Sequence, residues 1–166
     1  MKSRQVQLVL AVYPNARGLA FVLFEGSDQL VDWGISEARA RERQARGLWL
    51  VTRLLGKYRP DVVILRQAHT DRYGDLIGQL RGLADRCGTG FVVVSRHQIR
   101  ATFLHLPRAT RSAITQEVIR RLPLLTAFLP NRRKIWQSED RRMALFDAVS
   151  LGLAYFALSE EKGENS

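Results

Sequence analysis

The apolar positions of this chain fall into two periods. "QVQLVLAVY" (5–13), "GLAFVLFE" (18–25) and "QLVDWG" (29–34) are short apolar-rich runs separated only by "PNAR" and "GSD". Runs of that length, broken by Asn, Gly, Ser and Asp, predict three strands joined by tight turns, an antiparallel meander. The period then changes. In "SEARARERQARGLWLVTRLLGKY" (36–58), Leu48, Val51, Leu54 and Leu55 recur at helical spacing, and Ser36 stands where an N-cap is expected. "DVVILR" (61–66) and "GFVVVS" (90–95) are apolar at consecutive positions, as central strands covered on both faces are. Between them "YGDLIGQLRGLADRCG" (73–88) reads as a second helix stopped by Gly88.

The last third reads as helical. "RHQIRATFLH" (96–105) predicts a short helix, and "TRSAITQEVIRRLP" (110–123) a longer one that starts at a good cap and stops at Pro123. "LPNRRKIWQ" (129–137) is a basic loop. "SEDRRMALFDAVSLGLAYFALS" (138–159) predicts the final helix, capped by Ser138, with Glu139 and Asp140 in a first turn whose dipole favours acids. Residues 160–166 are expected to be a disordered tail. The order βββαβαβα with further helices predicts an α/β fold, a mixed sheet with helices on both faces. No repeat or linker interrupts residues 1–159, so one domain is expected there.

Composition narrows the partners. The hydrophobic share of 46% and charged share of 25% are those of a globular chain, not a disordered one. No apolar run reaches the roughly 18 residues a membrane helix needs, so no membrane is expected. "MKSRQVQLVLAVYPN" has no small-residue cleavage site and reads as a strand rather than a signal peptide. Cys87 is the one cysteine, which excludes an internal disulfide and fits a reducing cytoplasm. The net charge is +10, and 22 of the 26 basic residues are arginine, the side chain suited to bidentate phosphate contacts. A nucleic-acid partner is the first reading, with an anionic surface or an acidic protein left open.

The order of elements, with the words inside it, resembles the ribonuclease H-like fold and, more narrowly, the RuvC family of Holliday-junction resolvases. "LAVYPNARGLAFVLFE" is similar to the family's first strand, turn and second strand. "YRPDVVILRQ" is similar to its fourth strand, "ATRSAI" to the basic stretch and helix near DNA, and "FDAVSLGLAY" to its last helix. The resemblance covers roughly residues 8 to 156. It implies a five-stranded sheet, a homodimer, branched DNA as partner, and cleavage with two divalent metals, Mg²⁺ or Mn²⁺, held by four acidic positions. Such cations stabilise the attacking water and the leaving oxygen, and carboxylates offset their charge.

Those positions depart from the pattern. The first acid falls on Tyr13, the second on Arg66, the third on Ala144, and only the fourth is an acid, Asp147. Asp140, seven residues before Asp147, is expected on the same helix face but about 10 Å away along the axis. Asp71, Asp75 and His69 follow the fourth strand and are further candidate ligands, although a solvated loop explains the two acids and a surface or packing role the histidine. Asp147 is the one charged side chain between Met143 and Ser159. A buried carboxylate requires a cation, hydrogen-bond donors or water. Arg66 is the expected cation, standing in for the lost metal, with the Tyr13 hydroxyl completing the cluster. A structural Asp and a strand-end tyrosine remain the plainer readings.

Basic residues suited to DNA are Arg96 and Arg100, Arg108 and Arg111, Arg132, Arg133 and Lys134 with Trp136 beside them, and Arg141 and Arg142. By resemblance Arg111 stands near the scissile phosphate, and Trp136 is placed to stack on a base or anchor its loop. The expectation is a RuvC-like binder of branched DNA, weakly catalytic or inactive. An active metal-dependent endonuclease rearranged around Asp147, and a non-catalytic protein-binding scaffold, are the alternatives.

Overall fold

The computed structural model describes residues 6–67, 70–130 and 140–165, the side chains of 70–74 excepted. β1 (Leu8–Asn15), β2 (Gly18–Glu25) and β3 (Leu30–Glu37) form the expected antiparallel meander. β4 (Val62–Arg66) and β5 (Gly90–Val94) add in parallel, giving the sheet order β3-β2-β1-β4-β5. The β1–β2 turn is tighter than predicted. Pro14 and Asn15 stay in the ladder, and the Asn15 side chain accepts from Arg17 N at 2.8 Å and Gly18 N at 3.0 Å.

Alternation along the central strands divides the core. Val9 and Ala11 of β1 with Val62 and Ile64 of β4 face one layer, which holds α3 (Arg96–Thr102), α4 (Arg111–Arg121), a 3₁₀ turn (Pro123–Phe128) and α5 (Met143–Glu164). Leu10 and Val12 with Val63 and Leu65 face the other, covered by α1 (Arg43–Tyr58) and α2 (Thr70–Arg86). Helices on both faces explain why β1 and β4 are apolar at consecutive positions. α5 lies close on β1 and β2: a Cβ on Gly152 would stand 2.1 Å from the Phe24 ring.

Several boundaries differ from the sequence expectation. α1 starts at Arg43, not after Ser36, because Ser36 pairs with Leu19 in β3. Gly88 takes a left-handed φ of 66°, and Thr89 N closes on Ala84 O at 2.9 Å, so the predicted stop to α2 holds. α3 carries a reciprocal capping box, Ser95 with Gln98, and α4 is capped by Thr110. α5 begins at Met143, after Asp140, and continues through Glu164 where a disordered tail was expected from residue 160. Ser138 and Glu139, read as its cap and first turn, lie outside the described residues. By length and composition α5 is apolar enough to cross a membrane, against the expectation of no such run. Its apolar residues from Ala144 to Ala154 are buried in the core, which accounts for that composition.

Candidate functional site

β1 and β4 run in parallel with Val12 level with Leu65, so the next residues, Tyr13 and Arg66, stand at the same height. Both share the parity of the residues beneath them, Val9 and Ala11 in one strand, Val62 and Ile64 in the other, and therefore belong to the α5 side. The Arg66 guanidinium lies over the Tyr13 ring, 4.5 Å from its centroid. α3 begins with Arg96 two residues beyond the end of β5, and α4 begins with Arg111. α5 then brings Asp147 to the same place.

Asp147 is held by Arg111. The guanidinium donates through Nε to Oδ1 at 3.1 Å and through Nη2 to Oδ2 in a short second bond, a two-point fork. The Asp147 side chain is 17% exposed and that of Arg111 46%. Burial pushes the Asp147 carboxyl up. The Arg111 bonds and charge, then the charges of Arg66 and Arg96, pull it down without cancelling the burial. Burial also raises the Tyr13 phenol above 10, and the Asp147 charge adds to that, against Arg66, Arg96 and Arg111. Tyr13 is therefore a neutral phenol at pH 7 and a poor ligand for a hard cation.

The expected direct pair between Arg66 and Asp147 does not form. Arg66 turns instead onto Tyr13, with one long contact from Nη2 to Pro14 O at 3.4 Å, and its buried Nε has no partner among the described residues. Its effect on Asp147 is through charge alone. Asp140 also departs from expectation. It precedes α5 rather than sharing a helix face with Asp147, and Arg142 clamps it through its backbone N at 2.9 Å and guanidinium at 3.0 and 2.8 Å. Those bonds hold the Asp140 carboxyl at about 2.

The candidate metal ligands are scattered. Ala144 is buried in the core. Asp75 accepts from Gln44 at 3.2 Å, between α2 and α1 on the opposite face of the sheet. His69 and the Asp71 side chain lie outside the described residues. Among the described residues no three His, Cys, Asp or Glu side chains come together. The donor set around Asp147 is three guanidiniums and a phenol, which repel or poorly ligate a divalent cation. The residues described do not fit a Mg²⁺ or Mn²⁺ pair.

Of the DNA-binding candidates, Arg96, Arg100, Arg108 and Arg141 are exposed, and Arg111 and Arg142 are engaged with Asp147 and Asp140. Arg132, Arg133, Lys134 and Trp136 lie outside the described residues. Sequence reading missed the cluster around Glu117 on α4. Its buried carboxylate binds Arg120 at 2.6 Å and Arg121 at 3.1 Å, with His105 at 3.6 Å. The spacing of three and four residues was the available signal.

No protein-family model matches the sequence, and no curated protein matches it. Solved structures do. Thermus thermophilus RuvC in complex with a Holliday junction substrate superposes with a TM-score of 0.69 at 16% identity, over 93% of this chain and 96% of that one. The fowlpox virus Holliday junction resolvase gives 0.59 at 17% identity, over 91% and 99%. The yeast mitochondrial Holliday junction resolvase gives 0.51 at 11% identity, over 96% and 84%. The fold is RuvC-like, of the ribonuclease H-like class.

Proposed function

We propose that this chain binds branched DNA through the face at the carboxyl ends of β1 and β4, and does so without metal-dependent cleavage. The observation that carries this is the convergence of Arg66, Arg96 and Arg111 on Asp147, the one acid described there. The resemblance leads one to expect four acids there. A fold shared with a RuvC bound to a Holliday junction supports a branched substrate. Arg100, Arg108 and Arg141 are exposed and available for phosphate contacts, which position DNA without reading its sequence. Arg132, Arg133, Lys134 and Trp136 belong to the same reading by sequence. A homodimer and a cytoplasmic setting go with it, the first from the resemblance and the second from the lone Cys87.

The test is a labelled four-way junction incubated with wild type and Asp147→Ala, with and without Mg²⁺ or Mn²⁺, binding and cutting read on one gel. The expected result is binding whose affinity falls steeply with salt, with no cutting. Cutting that requires metal and disappears in Asp147→Ala refutes the reading in favour of a rearranged nuclease. Absence of both binding and cutting leaves the protein-binding scaffold.

A further inference from the structure

The Arg111–Asp147 fork has a geometry with a second user. Two parallel N–H donors onto two oxygens is how a guanidinium takes a carboxylate, and equally how it takes the two non-bridging oxygens of a phosphate diester. Arg66 and Arg96 act on the same carboxylate from β4 and α3, so three cations face one acid among the described residues. Arg66 also keeps its buried Nε without a partner, next to the long 3.4 Å contact to Pro14. A donor left in that state costs free energy unless an acceptor arrives.

We propose that Asp147 occupies, in the free protein, the place of a backbone phosphate diester, and that DNA displaces its carboxylate from Arg111. This rests on the reading of the chain as a DNA binder and assigns the site one ligand class. Asp147 is then an internal competitor that sets affinity. This role is opposite in sign to that of a metal ligand. With divalent metal bound, removing a metal-holding acid weakens the engagement of DNA; removing a competing acid strengthens it, and does so only while Arg111 is present to take the phosphate. Arg66, stacked on Tyr13, supplies the second guanidinium to the incoming phosphate, and Arg96 the third from the exposed start of α3.

The experiment compares wild type, Asp147→Asn, Arg111→Gln and the double variant. Junction affinity is measured at fixed salt, and inorganic phosphate serves as a small probe by thermal shift. Asp147→Asn is expected to bind the junction about tenfold tighter, the scale of one charge-assisted contact. It is also expected to gain a phosphate-dependent rise in melting temperature. In the Arg111→Gln background the same substitution brings no gain, because the donor at stake is gone. Arg111→Gln alone leaves a buried carboxylate without its partner. Should it fail to fold, the double variant, which removes both charges, still carries the comparison with Asp147→Asn.

Unchanged or weaker junction binding by Asp147→Asn, with wild-type binding intact, overturns the displacement while leaving the DNA-binding function standing. No junction binding by any variant, together with a phosphate response gained in Asp147→Asn, overturns the function and retains the anion site. No response to either ligand overturns both.

Discussion

Replacing Arg66 by methionine separates what this arginine does for stability from what it does for binding. Its Nε is buried and unpaired, and such a group costs about 1–3 kcal/mol. Its stacking on Tyr13 at 4.5 Å returns about 0.5–2 kcal/mol. The 3.4 Å contact to Pro14 lies beyond the usual hydrogen-bond range and adds little. Its charge helps hold Asp147 ionised, but that effect ranks behind the bonds from Arg111. Methionine keeps the length of the stem and an apolar contact with the ring while removing the stranded donor. Arg66→Met is therefore expected to be between neutral and about 1 kcal/mol more stable, which raises the melting temperature by at most about 4 °C in a chain of this size. Junction affinity is expected to fall, and the slope of log affinity against log salt to shrink by about one. Thermal unfolding and junction titration on one preparation read both. A drop in the melting temperature of more than about 4 °C, corresponding to over 1 kcal/mol lost, refutes the reasoning. It would mean the guanidinium is a structural strut for the ends of β1 and β4. Unchanged affinity refutes the binding role independently.

Gly152→Ala is expected to cost about 1–3 kcal/mol, because the new methyl would stand 2.1 and 2.6 Å from atoms of the fully buried Phe24 ring; an unchanged urea midpoint would contradict the close approach of α5 to β2. The Glu117 carboxyl is held at about 2 by its bonds to Arg120 and Arg121, below the unfolded value near 4.3, so its contribution is present above about pH 5 and lost as pH falls towards 2. Discounted for the exposure of Arg120, that is about 1–2 kcal/mol, and urea midpoints at pH 6 and pH 3 should differ less for Glu117→Gln than for wild type. Arg96→Gln, on the exposed start of α3, is expected to leave the melting temperature alone and to flatten the salt dependence of junction binding by about one unit; an unaltered slope would remove Arg96 from the contact surface.

The strands were legible because the sheet is buried on both faces and bounded by strong turn residues. The helix starts were less so, and the reason is visible at Ser36. A serine before a helical pattern is a fair cap, yet the ladder between β2 and β3 continues to Gly18 opposite Glu37, and Ser36 spends its backbone there. Pairing with a distant strand overrode a local preference. At the other end the charged run Glu160, Glu161, Lys162 reads as a solvated tail by composition alone. Glutamate and lysine are also good helix formers, and a helix already nucleated on the core over Ala144–Ala154 propagates through them to Glu164.

The site was legible in part, and the division follows the kind of contact: strand against strand could be read, helix against helix could not. That Tyr13 and Arg66 meet follows from two strand ends of equal parity in adjacent parallel strands, which alternation alone can supply. That Arg111 rather than Arg66 holds Asp147 could not be read, because the placement of α4 against α5 decides it and no strand register fixes that placement. The correction changes the chemistry. With Arg111 on Asp147, the Arg66 Nε is left without a partner among the described residues and Arg96 is exposed, so positive charge at this end of the sheet is carried by side chains. A divalent cation approaching this place meets guanidiniums, and a phosphate meets donors. On the proposed reading this end of the sheet holds a DNA phosphate, and a gain in affinity from Asp147→Asn that disappears in the Arg111→Gln background is what marks Asp147 as a displaced competitor.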